Sequence, residues 1–427
     1  MESTILIVSF FLLVIIGVPI SFSLGASGII YLLLQNPEYL ITLPQRVWAG
    51  SNSFVLIALP LFVMAGELMN VGGITKRIIN FSLYLVRPFG GSLGEVNVVA
   101  SMIFGGISGS SVADTSAIGT VLIPNMEKLG YSKGFSAGVT VASSTMGMII
   151  PPSIPMLLYA MVSQVSVGAL FLAGVIPGLL VGITQVTMVY VISRRKGFHP
   201  EPTPFEWRGF FAATKDGLLA IIMPLVIVVT VSFGIATASE SAGVAVLYAM
   251  ILGFFVYREL KVRDLGAILK KTVMTSSVVV LIIGFSMIFT WILAMERIPT
   301  QLGDLILGLN ISKFWILVII DLIILIVGTF IDVGPAIILL SPILINVMEG
   351  LGIGPLHFGA ILICGLAVGL VTPPVGMCLN ACTKICGMPI MKVFRHAMPF
   401  IICNVIILVL VTFVPAVSLW LPGLIMK

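Results

Sequence analysis

The stretch Gly105-Gly106-Ile107-Ser108-Gly109-Ser110-Ser111-Val112-Ala113-Asp114, with Ile150-Pro151-Pro152-Ser153 further on, decides the fold. The small polar run is flanked by two apolar arms, Ser92–Phe104 and Val112–Asn125. An arm of about 13 residues extends about 20 Å at 1.5 Å per residue, short of a hydrocarbon core of about 30 Å. Two short arms around a glycine–serine run predict a re-entrant helical hairpin with its tip near mid-membrane. The Pro-Pro pair interrupts a long apolar helix, Gly134–Gln164, because two prolines remove two amide donors and clash with the preceding turn. Open backbone inside a bilayer is tolerated where it is buried in protein or lines a wet cavity.

The same pattern recurs in the second half. Met146-Gly147-Met148-Ile149-Ile150-Pro151-Pro152 reads like Val368-Gly369-Leu370-Val371-Thr372-Pro373-Pro374, and Pro177 and Pro399 stand the same 222 residues apart. Asp114 precedes Pro124 by ten residues and Asp332 precedes Pro342 by ten, which pairs Asp114 with Asp332. A second hairpin is expected from Phe314 to about Met348, broken at Gly328-Thr329-Phe330-Ile331-Asp332-Val333-Gly334-Pro335, facing a second broken helix, Leu356–Cys386.

Composition agrees with a chain lying in the bilayer. Apolar residues make up 59% and charged residues 9%, with a mean hydropathy of +1.20, whereas soluble domains carry roughly 25% charged residues. The first apolar block, Thr4–Phe22, has no basic n-region and no small-residue cleavage site, so it reads as a mature helix followed by a short one, Leu24–Leu34. The net charge of +5 sits in loops, which suits membrane orientation. Lys76–Arg87, the polar stretch Ser193–Asp216 (which includes His199) and Arg258–Lys271 are basic and are assigned to the cytoplasm. Helices Gly217–Phe233 and Ser239–Val256 make a round trip, Thr272–Met295 goes outward, and a last helix runs to Trp420. With Leu24–Leu34 crossing, both termini fall outside and the two halves are inverted with respect to each other; without that crossing the amino terminus is inside. Amphipathic Ile74–Arg87 and Ile298–Asn310 read as arm helices at opposite interfaces. The expected division is 1–91 (first scaffold and arm), 92–192 (first hairpin and broken helix), 193–216 (inter-repeat loop), 217–312 (second scaffold and arm) and 313–427 (second hairpin and broken helix).

Two hairpins facing two broken helices gather loose carbonyls, hydroxyls and half-helix ends, the means by which inverted-repeat transporters build ion and substrate sites. A hard monovalent cation such as Na⁺ wants several oxygens. The first site draws on Ser108, Gly109 and Ser110 with backbone near Gly147 and Ile149. The second draws on Gly328, Thr329 and Asp332 with backbone and hydroxyl near Gly369 and Thr372. Small residues at helix contacts also serve close packing alone. Asp114 and Asp332 each read either as caps of the second hairpin arm or as ion contacts. Arg297 either snorkels beside Glu296 or meets a substrate carboxylate. Glu67 and Glu240 read as structural pairs. Cys378, Cys382 and Cys386 share one helix face and read as a helix contact. There is no nucleotide-binding loop and no metalloprotease motif, and no nucleophile has a visible base, so enzyme chemistry is not expected.

These motifs resemble the large M subunit of the tripartite ATP-independent periplasmic (TRAP) transporters, of the DctM type, on Gly105–Asp114, Ile150–Ser153, Gly328–Asp332 and Thr372-Pro373-Pro374-Val375-Gly376. The resemblance spans essentially the whole chain and implies an all-α polytopic protein with an elevator-type, ion-transporter-like fold in a bacterial inner membrane. It implies Na⁺-driven import of a carboxylate-bearing solute, working with a small four-helix membrane subunit (Q type) and a periplasmic substrate-binding protein (P type). No fused small subunit precedes Met1, so a separate chain is expected. In overall likeness the chain is nearest the sialic-acid (N-acetylneuraminate) type. A C4-dicarboxylate permease and a stand-alone sodium/anion carrier are the alternatives. Ser108, Ser110, Ser153 and Arg297 are the expected substrate contacts. Ser239-Glu240-Ser241-Ala242 departs from the Pro-Thr-Glu type sequence expected there.

Overall fold

The computed structural model describes residues 2–86, 93–197, 206–308 and 311–426, apart from the side chains of residues 2, 3, 302 and 304–307. Among the described residues all regular structure is helical, and nine helices are long and apolar enough to cross a membrane. Their outer faces carry exposed side chains such as Leu225, Val229, Val273 and Ile326, which a bilayer solvates and water would not.

The first hairpin pairs Leu93–Ser108 with Ser111–Lys128, so the turn is only Gly109-Ser110 and the arms are 16 and 18 residues, longer than expected. The reason lies in Gly105 and Gly106, which stay helical. A Cβ on Gly105 would stand 2.9 Å from the Cα of Gly147, so this glycine serves close backbone approach, while Gly109 alone turns the chain, at φ +60°. The second hairpin pairs Lys313–Phe330 with Val333–Gly350 around Ile331-Asp332. Here Gly328 stays helical against Gly369, and Pro335 falls in the first turn of its helix, where the missing amide costs nothing.

The turns correct the pairing of the acids. Ser110 caps the second arm of the first hairpin by accepting from Ala113 N (3.5 Å), and Asp332 caps the second arm of the other by accepting from Val333 N (2.8 Å). Ser110 and Asp332 stand 222 residues apart, the Pro-Pro offset, so Ser110 is the equivalent of Asp332. Asp114 caps nothing and sits one turn inside its arm.

Other boundaries shift where helix-breakers fall. The amino-terminal helices are Glu2–Ile15 and Ile20–Gln35, because Gly17 (φ +95°) ends the first and Pro19 opens the second. The last crossing stops at Phe413 and a separate helix, Ala416–Ile425, follows Pro415. Val262–Met295 is 34 residues long, with its basic start helical rather than looped. The helices Val167–Lys196 and Trp207–Ser232 run into both ends of the polar stretch, and its middle, with His199, lies outside the described residues. The described arm helices are Ile74–Val86 and Ile298–Gly308, and the expected ends Arg87 and Asn310 lie outside the described residues.

The three basic stretches meet. Arg77 pairs with Glu259 at 2.8 Å and lies over the ring of Tyr257, whose hydroxyl donates to the Asp216 carbonyl at 2.8 Å. In the core, the broken helices are Lys133–Ser143, Met146–Ile149 and Ile154–Ser163 in the first half, and Pro355–Gly369 and Met377–Cys386 in the second. Each half's final segment packs on the other half's hairpin: Leu158 meets Gly334, and Ile385 meets Gly119. Cys378 and Cys382 are buried there, and the Cys382 thiol lies 3.8 Å from the Ala137 carbonyl, the helix contact expected of that face.

Candidate functional site

In each half a hairpin tip is tied to the Pro-Pro break beside it by one backbone hydrogen bond. Ile154 N donates to the Gly109 carbonyl at 3.2 Å, and Val375 N donates to the Thr329 carbonyl at 3.2 Å. Glycine makes both approaches possible. The Gly147 Cβ would lie 3.1 Å from the Ser110 carbonyl, and the Gly369 Cβ would lie 2.5 Å from the Gly328 carbonyl carbon. Both prolyl bonds, Pro151-Pro152 and Pro373-Pro374, are cis.

At the first tip the Ser108 hydroxyl lies 3.3 Å from both the amide and the carbonyl of Ser110. The Ser153 hydroxyl donates to the Met148 carbonyl at 2.6 Å and caps Ile154–Ser163 by accepting from Met156 N. The carbonyls turned toward the tip are those of Pro151 and Pro152, each 3.1 Å from where a Cβ on Gly106 or Gly109 would stand. The Ile149 carbonyl lies 2.4 Å from the Cβ position of Gly174, on the neighbouring helix. A proline carbonyl keeps both lone pairs and brings no competing amide, so the break itself supplies acceptors.

At the second tip the Thr329 hydroxyl donates to Ile326 and the Thr372 hydroxyl to Val368, both at 2.8 Å. Each hydroxyl proton is thereby committed within its own helix and the oxygen's lone pairs stay open. Asp332 uses one carboxylate oxygen as its cap and is otherwise exposed. The donor set at both tips is oxygen only: neutral at the first, with one carboxylate at the second. Among the described residues no three His, Cys, Asp or Glu side chains cluster to hold a metal ion. Such a set suits a hard monovalent cation and offers nothing to a soft one.

Ser108, Gly109, Ser110, Gly147 and Ser153 are thus brought together at one junction, and Gly328, Thr329, Asp332, Gly369 and Thr372 at the other. Among the described residues Arg297 makes no hydrogen bond or ion pair to either junction. It is exposed, in left-handed conformation (φ +54°), at the corner between Val262–Met295 and the second arm helix, where its carbonyl accepts from Gln301 N. Its neighbour Glu296 takes the Tyr31 hydroxyl. Glu67 pairs with Lys271 at 2.7 Å. Glu240 closes a capping box with Thr237, accepting from Thr237 N at 2.7 Å, which is a sufficient local role for the departure Ser239–Ala242.

Sequence reasoning missed a buried polar chain behind the first tip. The Asn97 amide donates to Thr140 (2.7 Å), Ser143 donates back to Asn97 (3.3 Å), and Ser143 meets Ser101 (3.0 Å). Thr115 donates to Ser144 (2.6 Å), and Asn404 joins Thr145 (3.0 Å) to Gln185 (2.6 Å). Asp114 is fully buried among them, beside Ser101, with both carboxylate oxygens lacking a hydrogen-bond partner. Asn97 and Ser101 recur at i, i+4 on Leu93–Ser108, and Thr140 and Ser143 at i, i+3 on Lys133–Ser143, but Thr115, Gln185 and Asn404 come from other helices, and nothing in the order of residues brings these together.

Known proteins resemble this chain along nearly its whole length. The family profile described as the tripartite ATP-independent periplasmic transporter, DctM component, matches residues 7–417. The chain belongs to this family. It is 38% identical over 408 residues to the sialic acid TRAP transporter large permease protein SiaM of Vibrio cholerae, covering 96% of this chain and 95% of that one. It is 34% identical over 401 residues to the C4-dicarboxylate TRAP transporter large permease protein DctM of Pseudomonas aeruginosa, covering 94% of each. The isethionate TRAP transporter permease protein DctMQ of Oleidesulfovibrio alaskensis is 32% identical, with 97% of this chain matching 65% of that longer one. Among solved structures, the Alcanivorax borkumensis YdaH transporter superposes with a TM-score of 0.65 over 90% of each chain at 14% identity, a likeness of fold. The protein is a multi-pass membrane permease of the TRAP family, a transporter rather than an enzyme.

Proposed function

We propose that this permease imports a carboxylate-bearing solute, sialic acid first, driven by a Na⁺ gradient. Its partners would be a small four-helix membrane subunit and a periplasmic substrate-binding protein. The observation that carries the reading is the pair of tip–break junctions, each an oxygen-only donor set held by a single backbone hydrogen bond between two elements. Ser108, Ser110 and the carbonyls of Pro151 and Pro152 would hold one Na⁺; Thr329, Thr372 and Asp332 would hold another. Ser153 would orient substrate at the first junction. Inversion of the halves, with each broken helix leaning on the opposite hairpin, supports an elevator-like movement of these elements against the scaffold. The meeting of the basic stretches at Arg77, Glu259, Tyr257 and Asp216 supports a shared cytoplasmic face in the bacterial inner membrane. The name of the Vibrio cholerae relative favours sialic acid. The C4-dicarboxylate relatives make succinate the second candidate.

The test is uptake of radiolabelled N-acetylneuraminate or succinate into proteoliposomes holding the permease and its small partner, with binding protein and an inward Na⁺ gradient each present or omitted. Uptake of N-acetylneuraminate requiring both supports the reading. Uptake without binding protein points to a stand-alone carrier, and uptake of succinate alone moves the substrate to the dicarboxylates.

A further inference from the structure

Of the cavities in the described residues, one separates the scaffold from the first hairpin. It holds about 420 Å³ and is lined by Asn70, Thr75, Lys76 and Glu259 on one wall and by Ser116 and Thr120 on the other. Its inner end lies close to the tip: Gly66, one turn before Asn70 on the same helix, packs on the Ser108 backbone, 3.5 Å from its Cβ position to the Ser108 Cα. Ser116 and Thr120 are exposed on the arm that begins at Ser111, so the crevice follows this arm away from the junction.

The lining has a definite polarity. Glu259 is neutralised by Arg77 at 2.8 Å, whereas Lys76 is exposed and has no ion-pair partner among the described residues, which leaves one uncompensated cation there. Thr75 donates to the Asn70 carbonyl oxygen at 3.1 Å, and the Asn70 amide brings two N–H donors to the same wall. On the opposite wall the Ser116 and Thr120 hydroxyls donate into their own helix, to Val112 (2.8 Å) and to Ser116 (2.6 Å). Their open lone pairs are acceptors for a ligand's hydroxyls.

We propose that this crevice is a binding vestibule for a hydroxylated monocarboxylate, in which Lys76 and Asn70 take the carboxylate and Ser116 and Thr120 take hydroxyl groups. The assignment rests on the carboxylate-import reading above and deepens it, since a single uncompensated cation matches one carboxylate rather than two. A cavity of this volume accommodates a nine-carbon acid sugar, within the ordinary range of small-molecule sites.

Cysteine protection tests this. All five native cysteines are buried, so a water-soluble methanethiosulfonate reagent reports on an introduced thiol. Ser116→Cys and Thr120→Cys are made separately in the full chain with its small membrane partner and labelled in nanodiscs, and the same proteins reconstituted in proteoliposomes with the binding protein are assayed for uptake of N-acetylneuraminate and succinate. N-acetylneuraminate is expected to slow labelling at either cysteine, its methyl ester to be about tenfold weaker, and Lys76→Gln to weaken protection by about tenfold, as for loss of one charge-assisted contact, with Lys76→Arg restoring it. Uptake of N-acetylneuraminate with no protection at either cysteine overturns the vestibule and leaves the import reading standing. Protection unchanged by Lys76→Gln overturns the role of the lysine. Uptake of, and protection by, succinate alone overturns the monocarboxylate assignment together with the substrate reading.

Discussion

Gly369→Ala puts the tip–break geometry under direct strain. The new methyl would stand 2.5 Å from the carbonyl carbon of Gly328, 2.6 Å from its Cα and 2.9 Å from its oxygen, all of them backbone atoms that cannot rotate aside. Relief requires the second hairpin to move off the broken helix by about 0.9 Å, from 2.5 to the 3.4 Å at which ordinary contact begins. Over-packing a close contact costs about 1–3 kcal/mol, and an ion site assembled from both elements loses that amount of binding, about 5- to 150-fold. The expected outcome is a half-saturating Na⁺ concentration for uptake raised about tenfold or more, with a matching loss of Na⁺-dependent thermal stabilisation in detergent. Gly147→Ala meets Ser110 and Ser111 backbone at 3.1–3.2 Å and should give a smaller shift. Gly243→Ala, a helical glycine with nothing within 4 Å of its Cβ position, is the control. A Gly369→Ala protein with the Na⁺ dependence of the parent would refute the assembly of an ion site across this junction.

Three further outcomes follow from named contacts. Asp332→Asn keeps the oxygen that caps Val333 and removes the charge, so it should raise the Na⁺ requirement of uptake about tenfold with little loss of thermal stability, whereas Asp332→Ala should lose both; equal Na⁺ dependence in Asp332→Asn and the parent would rule out ion contact by this carboxylate. Asn97→Leu strips partners from Thr140 and Ser143 in a fully buried site and should cost about 1–3 kcal/mol, read as a lowered midpoint of thermal unfolding by intrinsic fluorescence. Glu240→Ala opens the Thr237 capping box at an exposed helix start and should lower the midpoint of thermal unfolding slightly while leaving uptake kinetics unchanged; a changed uptake rate at equal stability would mean that Glu240 contacts something that moves.

The hairpins and breaks were legible because they rest on residues that the backbone cannot do without. Pro151-Pro152 and Pro373-Pro374 end helices wherever they fall, and the shared 222-residue offset exposed the repeat without any view of packing. Glycine was less transparent, since the same residue type serves two ends. Gly109 turns the chain, whereas Gly105, Gly147, Gly328 and Gly369 remain helical and carry backbone contact, so a tip read from glycine content came out too wide and its arms too short. The pairing of Asp114 with Asp332 failed for a related reason. It matched like residue types, whereas the helix start needs only an oxygen acceptor, which Ser110 supplies as well as Asp332 does.

What the sequence could not carry is direction. Ser110 and Ser153 stand out in the sequence because they fall at helix breaks, but nothing in the order of residues says that the Ile149 carbonyl lies against Gly174 while those of Pro151 and Pro152 lie against Gly106 and Gly109. Nor does it say that Arg297 stands at a helix corner while Lys76 opens onto a cavity beside the first hairpin. The two junctions also differ in their surroundings. The first is walled by Gly66 and Pro224 of helices outside the hairpin and the broken helix, and its oxygens are mostly buried, whereas Asp332, Pro374 and Val375 at the second are exposed. A carboxylate is costly where it is enclosed without a counter-charge, which fits a serine cap at the first tip. Asp114, one turn below the first tip and without a partner for either oxygen, is the exception to that rule within the same hairpin. An ionisable group held there against its solvation cost marks the buried chain from Asn97 to Gln185 as the place, after the two tips, where substitution should most disturb transport.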